Sequence, residues 1–207
     1  MKVAIIGAGN VGRALAASAG RAGHEVTIAA AHPEHAQEAA AQTGAAAVGS
    51  SREAVANADM VVLAVPATAL DGLASELADA VSGKAVIDVS NRPTPDPSGE
   101  VDSSSAESIQ EKLPAAHVVK AFNTVFASHQ ADPVVDGVPL DGYVAGDDPD
   151  AKKAVLEFVR SIGFRPIDVG PLVMARTLEA LAWLNISLNM SNKWSWQTGW
   201  KLVGPTR

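Results

Sequence analysis

The glycine pattern in the first twelve residues constrains the fold more than any other feature of this chain. A β-branched, apolar run over residues 3–6 leads directly into glycines at G-x-G-x-x-G spacing, and a helix is expected over residues 13–22. A buried strand, a tight turn and a helix in this order are typical of a dinucleotide-binding βαβ unit. The N–H groups at the start of such a helix favour a phosphate. The residues predicted to contact it are Gly7, Ala8, Gly9, Asn10, Val11 and Gly12.

Each glycine of this motif has a separate expected role. Gly7 allows the tight turn out of the strand, Gly9 lets the backbone approach a pyrophosphate, and Gly12 lets the helix pack closely on the sheet. The alternative is a glycine-rich turn with no ligand, which the position directly after an N-terminal strand disfavours.

Strand-like and helix-like segments alternate along the rest of the chain, which predicts an α/β fold with a Rossmann, doubly wound, mainly parallel sheet. Residues 1–169 are predicted to form an NAD(P)-binding domain. Residues 170–207 are predicted to add a small C-terminal helical extension with a Trp-rich tail. Further strands are expected over residues 25–29, 46–48, 60–65, 85–89, 141–145 and 164–169 and from residue 117, and further helices over residues 33–43, 68–80, 106–113, 150–162 and 171–190.

Composition excludes several classes of function. A net charge of −7 gives no reason to expect nucleic acid or an anionic membrane as a partner. The absence of cysteine excludes disulfides, thiolate metal sites and cysteine nucleophiles, and no metal site is expected. Met1 leads straight into the first strand and no apolar run reaches about 18 residues. These features favour a cytoplasmic protein.

The end of the second strand bears on the choice of cofactor. An NAD enzyme usually has Asp or Glu there to hold the ribose 2′-hydroxyl, whereas residues 29–33 read Ala-Ala-Ala-His-Pro. The missing carboxylate favours NADP, with NAD still possible because no Arg is present to bind a 2′-phosphate. Ala30, His32 and His35, beside the helix that begins at Pro33, could contact the phosphate in part. Alternatively, both histidines are solvated residues at a helix start.

The carboxyl ends of the later strands should line the nicotinamide half of the crevice. The candidate contacts there are Ala64, Val65, Pro66, Asn91, Ala121 and Asn123. Residues 92–105 are rich in Pro, Ser, Asp and Gly, which predicts a surface loop or a lid over the site. Lys120 and Asn123 are weak catalytic candidates that could polarise a carbonyl or hold an amide. Alternatively, Lys120 is a solvated edge residue and Asn123 satisfies loop backbone.

The C-terminal part differs in character from the rest. Its expected helix is apolar on most faces, which predicts burial, often between subunits. All four Trp residues of the chain lie in this part, and they need cover from a dimer partner or a flat aromatic ligand. We expect a homodimer. The helix start and its arginine could also bind a second substrate through Pro171, Leu172 and Arg176, unless Arg176 simply pairs with Glu179.

Several segments together resemble a known family. The most specific are Val119-Lys120-Ala121-Phe122-Asn123-Thr124, Gly146-Asp147-Asp148, Asp168-Val169-Gly170-Pro171-Leu172 and Gly199-Trp200-Lys201-Leu202. The chain resembles the NADPH-dependent coenzyme F420 reductases, and the cytoplasmic domain of the six-transmembrane ferric reductases shares the pattern. Where the better-known F420 reductases have Ser and Arg after the second strand, this chain has Ala30, Ala31 and His32.

The resemblance implies a Rossmann domain that holds NADP(H) and passes hydride directly between the nicotinamide and a flat redox partner, F420 or a flavin. Such a transfer needs proximity and orientation more than an acid or a base. Two alternatives are a reductase of a small organic carbonyl or imine, and a non-catalytic nucleotide sensor. The carbonyl reaction needs a proton donor, for which Lys120, His129 and Tyr143 are the candidates.

Overall fold

The structure, a computed structural model, describes residues 1–92 and 102–204, and within these ranges the chain forms one eight-stranded sheet and a two-stranded hairpin. The prediction of a surface loop or lid over residues 92–105 therefore lies mostly outside the described residues. In chain order the elements are β1 (Lys2–Ile6), α1 (Asn10–Arg21), β2 (Glu25–Ala29), α2 (Pro33–Thr43), β3 (Ala46–Ala47), α3 (Ser51–Ala56), β4 (Met60–Leu63), α4 (Leu70–Leu77), β5 (Ala85–Asp88), α5 (Ser105–Lys112), β6 (His117–Ala121), α6 (Ala127–Gln130), β7 (Val134–Val135), β8 (Val138–Pro139), β9 (Asp141–Gly146), α7 (Pro149–Ser161), β10 (Arg165–Gly170) and α8 (Ala175–Asn192).

The strand order of the large sheet is β3-β2-β1-β4-β5-β6-β9-β10. The first six strands are parallel and follow the order of the Rossmann fold, which confirms the predicted fold class. Beyond β6 the sheet is extended by β9, which runs antiparallel to β6, and by β10, which is parallel to β9. The division between residues 169 and 170 stays a prediction, and β10 ends at Gly170.

Both faces of the sheet are covered, which explains why its central strands are continuous apolar runs. Every residue of β4 and β5 is buried. One face packs against Leu15 of α1 and Phe158 of α7, and the other against Leu77 of α4 and Ile109 of α5. The parallel strands are thereby fixed between two helical layers, with their carboxyl ends at one edge.

Helix α8 buries one face rather than most of its surface. The buried positions recur every three or four residues and include polar side chains; they are Ala175, Leu178, Glu179, Ala182, Asn185 and Asn189. Leu184 and Met190 are 50% and 65% exposed in the single chain. The expectation of a helix buried on most faces is therefore wrong for the chain alone. The chain enters α8 through a 3₁₀ turn (Leu172–Met174), so the α-helix begins later than residue 171.

The tail returns along β9 after α8. Asn189 donates to Thr198 Oγ1 at 2.7 Å, and Leu202 N donates to the buried Asp141 carboxylate at 2.6 Å. Arg165 donates to both oxygens of the same carboxylate, at 2.6 and 2.7 Å. Burial alone raises the pKa of Asp141, but the hydrogen bonds from Arg165, Leu202 and Lys201 outweigh it and hold that pKa below its usual range.

Among the described helices, none combines the length and the apolar character needed to cross a lipid bilayer.

Candidate functional site

The glycine loop joins β1 to α1 at the carboxyl edge of the sheet. A Cβ on Gly7, whose φ is +116°, would lie 2.1 Å from the Ala64 carbonyl oxygen, and a Cβ on Gly12 would lie 1.9 Å from the Gly7 carbonyl oxygen. The fold itself therefore requires glycine at both positions. A Cβ on Gly9 would meet nothing within 4 Å. The space next to Gly9 is therefore open to a ligand, and the packing of this structure gives no other reason for a glycine there.

The first turn of α1 borders this open space. Its N-cap is Gly9, which has no side chain to satisfy the free N–H groups, and the turn carries no acidic residue. Free N–H groups and the positive end of a 12-residue helix suit a phosphate. Ala8, Asn10 and Val11 complete the loop, so the predicted phosphate contacts lie together. Their contact with a cofactor stays a prediction.

A cavity of about 550 Å³ extends from the glycine loop to the end of β2. We name it the larger cavity. It is lined by Ala8, Gly9, Asn10, Arg13, Ala30, His35, Glu38 and Gln42. His32 is the N-cap of α2 and is exposed, with its ring 5.4 Å from that of His35. The structure thus brings Ala30 and His35 to this cavity and leaves His32 at its outside.

Sequence reasoning missed Arg13 in this cavity. The signal was present, because Arg13 directly follows the third glycine and side chains in a helix lean back towards its N-terminus. Its Nε donates to Ala8 O at 2.8 Å, while its two Nη atoms donate to Gln42 Oε1 at 2.8 Å and to Glu38 Oε2 at 3.2 Å.

Another cavity, of about 190 Å³, lies between the strand ends of β5 and β6 and helix α8. It is lined by Val11, Val89, Asn91, Phe122, Asn123, Thr124, Val125, Phe126, Ala127, Gln130, Ala182 and Ile186. We name it the inner cavity. It brings Val11 of the glycine loop together with Asn91 and Asn123, and their contact with a cofactor stays a prediction. No Lys, Arg, His, Tyr, Asp or Glu occurs among these described lining residues.

Two asparagines that line the inner cavity are hydrogen-bonded to each other. Asn123 Nδ2 donates to Asn91 Oδ1 at 2.9 Å, and Asn91 Nδ2 donates to the Asn123 carbonyl oxygen at 3.2 Å. The buried Asn123 Oδ1 and Gln130 Oε1 have no hydrogen-bond partner in the described part of the chain. Unpaired buried acceptors are rare, so they fit a ligand that brings N–H donors into the cavity.

The backbone of Phe122 turns the chain into this cavity. Phe122 is buried and has a φ of +65°, a left-handed conformation that a bulky residue rarely adopts. Edge-on ring contacts with Phe158 and tilted contacts with Phe164, at centroid distances of 6.0 and 5.7 Å, hold it there. Ala121 precedes it at the end of β6 with its side chain in the core.

The loop after β4 supports the glycine loop. Ala64 N donates to Ile6 O at 2.7 Å, and the Ala64 carbonyl lies against Gly7. Val65 is half-buried beside it, and Pro66 is exposed at the start of a 3₁₀ turn (Ala67–Ala69). Their contact with a nicotinamide stays a prediction.

Lys120 lies in a buried charge cluster beneath the strand ends. Its side chain is 0% exposed, and the three N–H groups of its Nζ are shared among four acceptors: Asp88 Oδ2 at 2.8 Å, Glu179 Oε1 at 2.6 Å, Ser105 Oγ at 2.8 Å and Ser90 O at 2.5 Å. The interpretation of Lys120 as a solvated edge residue is wrong. These four acceptors occupy the ammonium group, so Lys120 has no donor left to polarise a substrate carbonyl.

The residues predicted to bind a second substrate lie apart from the inner cavity. Arg176 forms a two-pronged ion pair with Glu107 of α5, with Nε–Oε2 at 2.9 Å and Nη2–Oε1 at 2.7 Å. Burial raises the pKa of Glu107, but hydrogen bonds from Arg176 and Ser104 outweigh it and lower that pKa overall. The alternative pairing of Arg176 with Glu179 is wrong, because Glu179 binds Lys120.

Leu172 and Pro171 also lie elsewhere. Leu172 is buried in the core, and its N–H donates to Asp147 Oδ1 at 2.8 Å, while Pro171 is exposed. The α8 residues that line the inner cavity are instead Ala182 and Ile186, about two and three turns into the helix. A register argument from the helix start could not identify them, because α8 begins only after the 3₁₀ turn.

Trp196 of the tail lies beside a lining residue of the inner cavity. The Trp196 ring contacts that of Phe126, a lining residue, edge to face at 5.4 Å. Trp194 and Trp196 are exposed in the single chain. His129 is bound to the tail through Gln197 O at 2.8 Å, and Tyr143 lies on β9 near Asp141. Neither proton-donor candidate lines the inner cavity.

No three His, Cys, Asp or Glu side chains within residues 1–92 and 102–204 gather into a group that could hold a metal ion.

Comparison with known proteins identifies the family. Residues 2–92 match the family described as NADP oxidoreductase coenzyme F420-dependent. The F420-dependent NADP reductase of Methanocaldococcus jannaschii is 31% identical over 216 residues, which cover 93% of this chain and 94% of that protein. The chain belongs to the F420-dependent NADP reductase family. The resemblance drawn from the sequence motifs is thereby confirmed, and the chain is an oxidoreductase.

Two further relatives are similar to most of this chain. The crystal structure of a candidate F420-dependent NADP reductase from Arthrobacter sp. FB24 matches with a TM-score of 0.81 at 29% identity, over 93% of this chain and 95% of that one. Metalloreductase STEAP3 of Rattus norvegicus is 35% identical over 184 residues, 87% of this chain. The chain spans only 36% of the length of STEAP3.

Proposed function

We propose that this protein transfers hydride directly between NADP(H) and coenzyme F420. The observation that carries the proposal is the inner cavity, whose described lining holds unpaired amide acceptors but no acid or base. Hydride transfer between two flat rings needs them close and aligned, and it needs no proton donor on the protein. A carbonyl or imine reductase would need such a donor, so this lining gives that alternative no support. The names of the relatives specify F420, and a flavin is the second acceptor to test.

The residues present fit a dinucleotide along the carboxyl edge of the sheet. In this proposal the free N–H groups at Gly9, Asn10 and Val11 bind the pyrophosphate, and the adenosine half occupies the larger cavity. The inner cavity would hold the nicotinamide ring, which supplies or accepts the hydride when bound. Asn123 Oδ1, which Asn91 holds in orientation, would accept a hydrogen bond from the carboxamide N–H₂.

The second substrate would approach the other side of the nicotinamide. In our proposal Ala182 and Ile186 of α8 form an apolar wall for the deazaflavin ring, and Phe126 with Trp196 provides an aromatic edge at the mouth. Apolar and aromatic cover excludes water from the space between the rings, and this protects the hydride from loss to solvent.

We also propose that the chain works as a homodimer in the cytoplasm, where NADP(H) is available. The exposed apolar side chains of α8 and the tail support a subunit contact there. They are Leu184, Met190, Trp194 and Trp196.

Steady-state assays with NADPH test the proposal. We expect NADPH oxidation with oxidised F420, and transfer of deuterium from 4-deuterated NADPH into reduced F420 when the correct face is labelled. Parallel assays use FMN, FAD and small cyclic imines in place of F420. Gly9→Val is the matched control, since its fold should persist without the cofactor. Protein that binds NADPH yet oxidises it with neither F420 nor a flavin would refute direct hydride transfer.

A further inference from the structure

The end of β2 offers almost nothing to a ribose 2′-phosphate. Residues 29–31 are three alanines, and the His32 side chain is largely exposed outside the larger cavity. A 2′-phosphate is doubly charged at neutral pH and needs charged or N–H donors around it. Within the described lining of the larger cavity, the arginine is Arg13, which comes from α1 and not from the end of β2.

The Nε atom of Arg13 is held inside the glycine loop, whereas its two Nη atoms can change hydrogen-bond partners. Its Nε is anchored on Ala8 O at 2.8 Å, inside the glycine loop. Its Nη2 contacts the Glu38 carboxylate at 3.2 Å, and the Glu38 side chain is 62% exposed. Exposed ion pairs contribute little stability, so a stronger anion can displace this carboxylate. Gln42, on the other Nη, carries an amide that can rotate to donate to an arriving oxygen.

The position of these groups matches the course of a bound dinucleotide. With its pyrophosphate on the glycine loop, the adenosine ribose must pass between the loop and the end of β2, into the space that Arg13, Ala30 and His35 line. The Glu38 carboxylate is then an internal stand-in for the phosphate, because the planar guanidinium of an arginine can pair with the oxygens of either anion.

We propose that Arg13 selects NADP(H) over NAD(H), by exchanging Glu38 for the 2′-phosphate of the adenosine ribose. This inference rests on the proposed use of NADP(H) and assigns its specificity to a residue on α1. Glu38 then has the opposite effect, since its carboxylate competes with the phosphate and repels it. The alternative is that Arg13 only ties α1 to α2.

Direct binding of two small nucleotides separates these possibilities. Adenosine 2′,5′-bisphosphate and adenosine 5′-monophosphate differ only in the 2′-phosphate, and calorimetry measures their affinities without any redox partner. We expect Arg13→Gln to lower the affinity ratio of the first to the second by about tenfold or more, as expected for one charge-assisted contact. Arg13→Lys should restore part of that ratio. Glu38→Gln should raise the ratio while Arg13 stays intact.

The outcomes are distinct from those of the hydride-transfer assay. If Arg13→Gln leaves the ratio of the two nucleotide affinities unchanged, the assignment of Arg13 is wrong. This holds even where NADPH oxidation with F420 is observed. A fall of the ratio when Glu38 becomes Gln also overturns it. Thermal unfolding of each variant, compared with the parent, identifies any general loss of folding, and Glu38→Gln tests the exchange without altering the arginine.

Discussion

Replacement of the buried Lys120 by methionine should strongly destabilise this protein. The ammonium group of Lys120 lies within 2.8 Å of Asp88 and 2.6 Å of Glu179, and none of the three side chains is more than 5% exposed. Methionine fills a similar volume but leaves two buried carboxylates without a cation. Breaking a buried ion pair in this way costs about 3–5 kcal/mol. A domain of this size is stable by about 5–15 kcal/mol, so the loss is a large fraction of the total.

The cluster predicts non-additive behaviour, which gives the reasoning a sharper test. Glu179→Gln keeps an oxygen that can accept from Lys120 and from Ser105 while it removes one charge. We expect this variant alone to lose about 1–3 kcal/mol. In the Lys120→Met background the same change removes an unpaired charge, so the double variant should be less destabilised than the sum of the two single variants.

Urea unfolding followed by tryptophan fluorescence measures these free energies. A difference in free energy of unfolding below about 1 kcal/mol for Lys120→Met, well under the range for a broken buried pair, would refute the argument. Strict additivity in the double variant would also refute it, because independent sites do not share charges. Lys152→Met, at a half-exposed ion pair with Asp168, is the matched control and should change stability by less than about 1 kcal/mol.

Four further predictions follow from the geometry. Gly9→Val should abolish NADP(H) binding in a titration with little change in thermal stability, whereas Gly12→Val should unfold the protein, and equal NADPH affinity of parent and Gly9→Val would contradict the site. The parent should bind NADPH more tightly than NADH by a modest factor, and Ala31→Arg should widen that preference; tighter binding of NADH would contradict it. Sedimentation at micromolar concentration should detect a dimer that Leu184→Asp converts to a monomer, and a monomeric parent would count against the interface. The pKa of Asp141 is lower in the folded chain than its usual value, so the Asp141 carboxylate should stabilise the fold fully at a pH above that usual value. This stabilisation should decline as the pH falls through the folded pKa. Asp141→Asn should flatten this part of the curve of unfolding free energy against pH, and an unchanged curve would contradict the prediction.

Much of the fold could be predicted from the sequence because its signals are local. The glycine spacing, the apolar strand runs and the polar residues at strand ends each lie within a few neighbouring positions. Lys120 shows what such reasoning misses. Its partners Asp88 and Glu179 lie 32 and 59 residues away along the chain, on β5 and α8, and only the folded structure brings them beneath the same strand ends.

The site was predicted less completely than the fold for the same reason. Asn91 and Asn123 could be grouped because parallel strands end at one edge. Helix spacing could not show that Arg176 pairs with a residue other than Glu179, because its partner Glu107 comes from another helix. Arg13 was missed because the specificity of dinucleotide enzymes is usually sought at the end of the second strand, whereas the arginine that lines the described cavity projects from the helix before it.

The open space beside Gly9 has a consequence for the history of this fold. Steric demands of the folded chain keep Gly7 and Gly12, whereas at position 9 the packing would accept a side chain. A descendant that no longer needed a nucleotide would therefore be free to drift at position 9 first, with its architecture intact. Among relatives of this fold, a larger residue at that one position would mark a lineage that kept the scaffold and abandoned the cofactor.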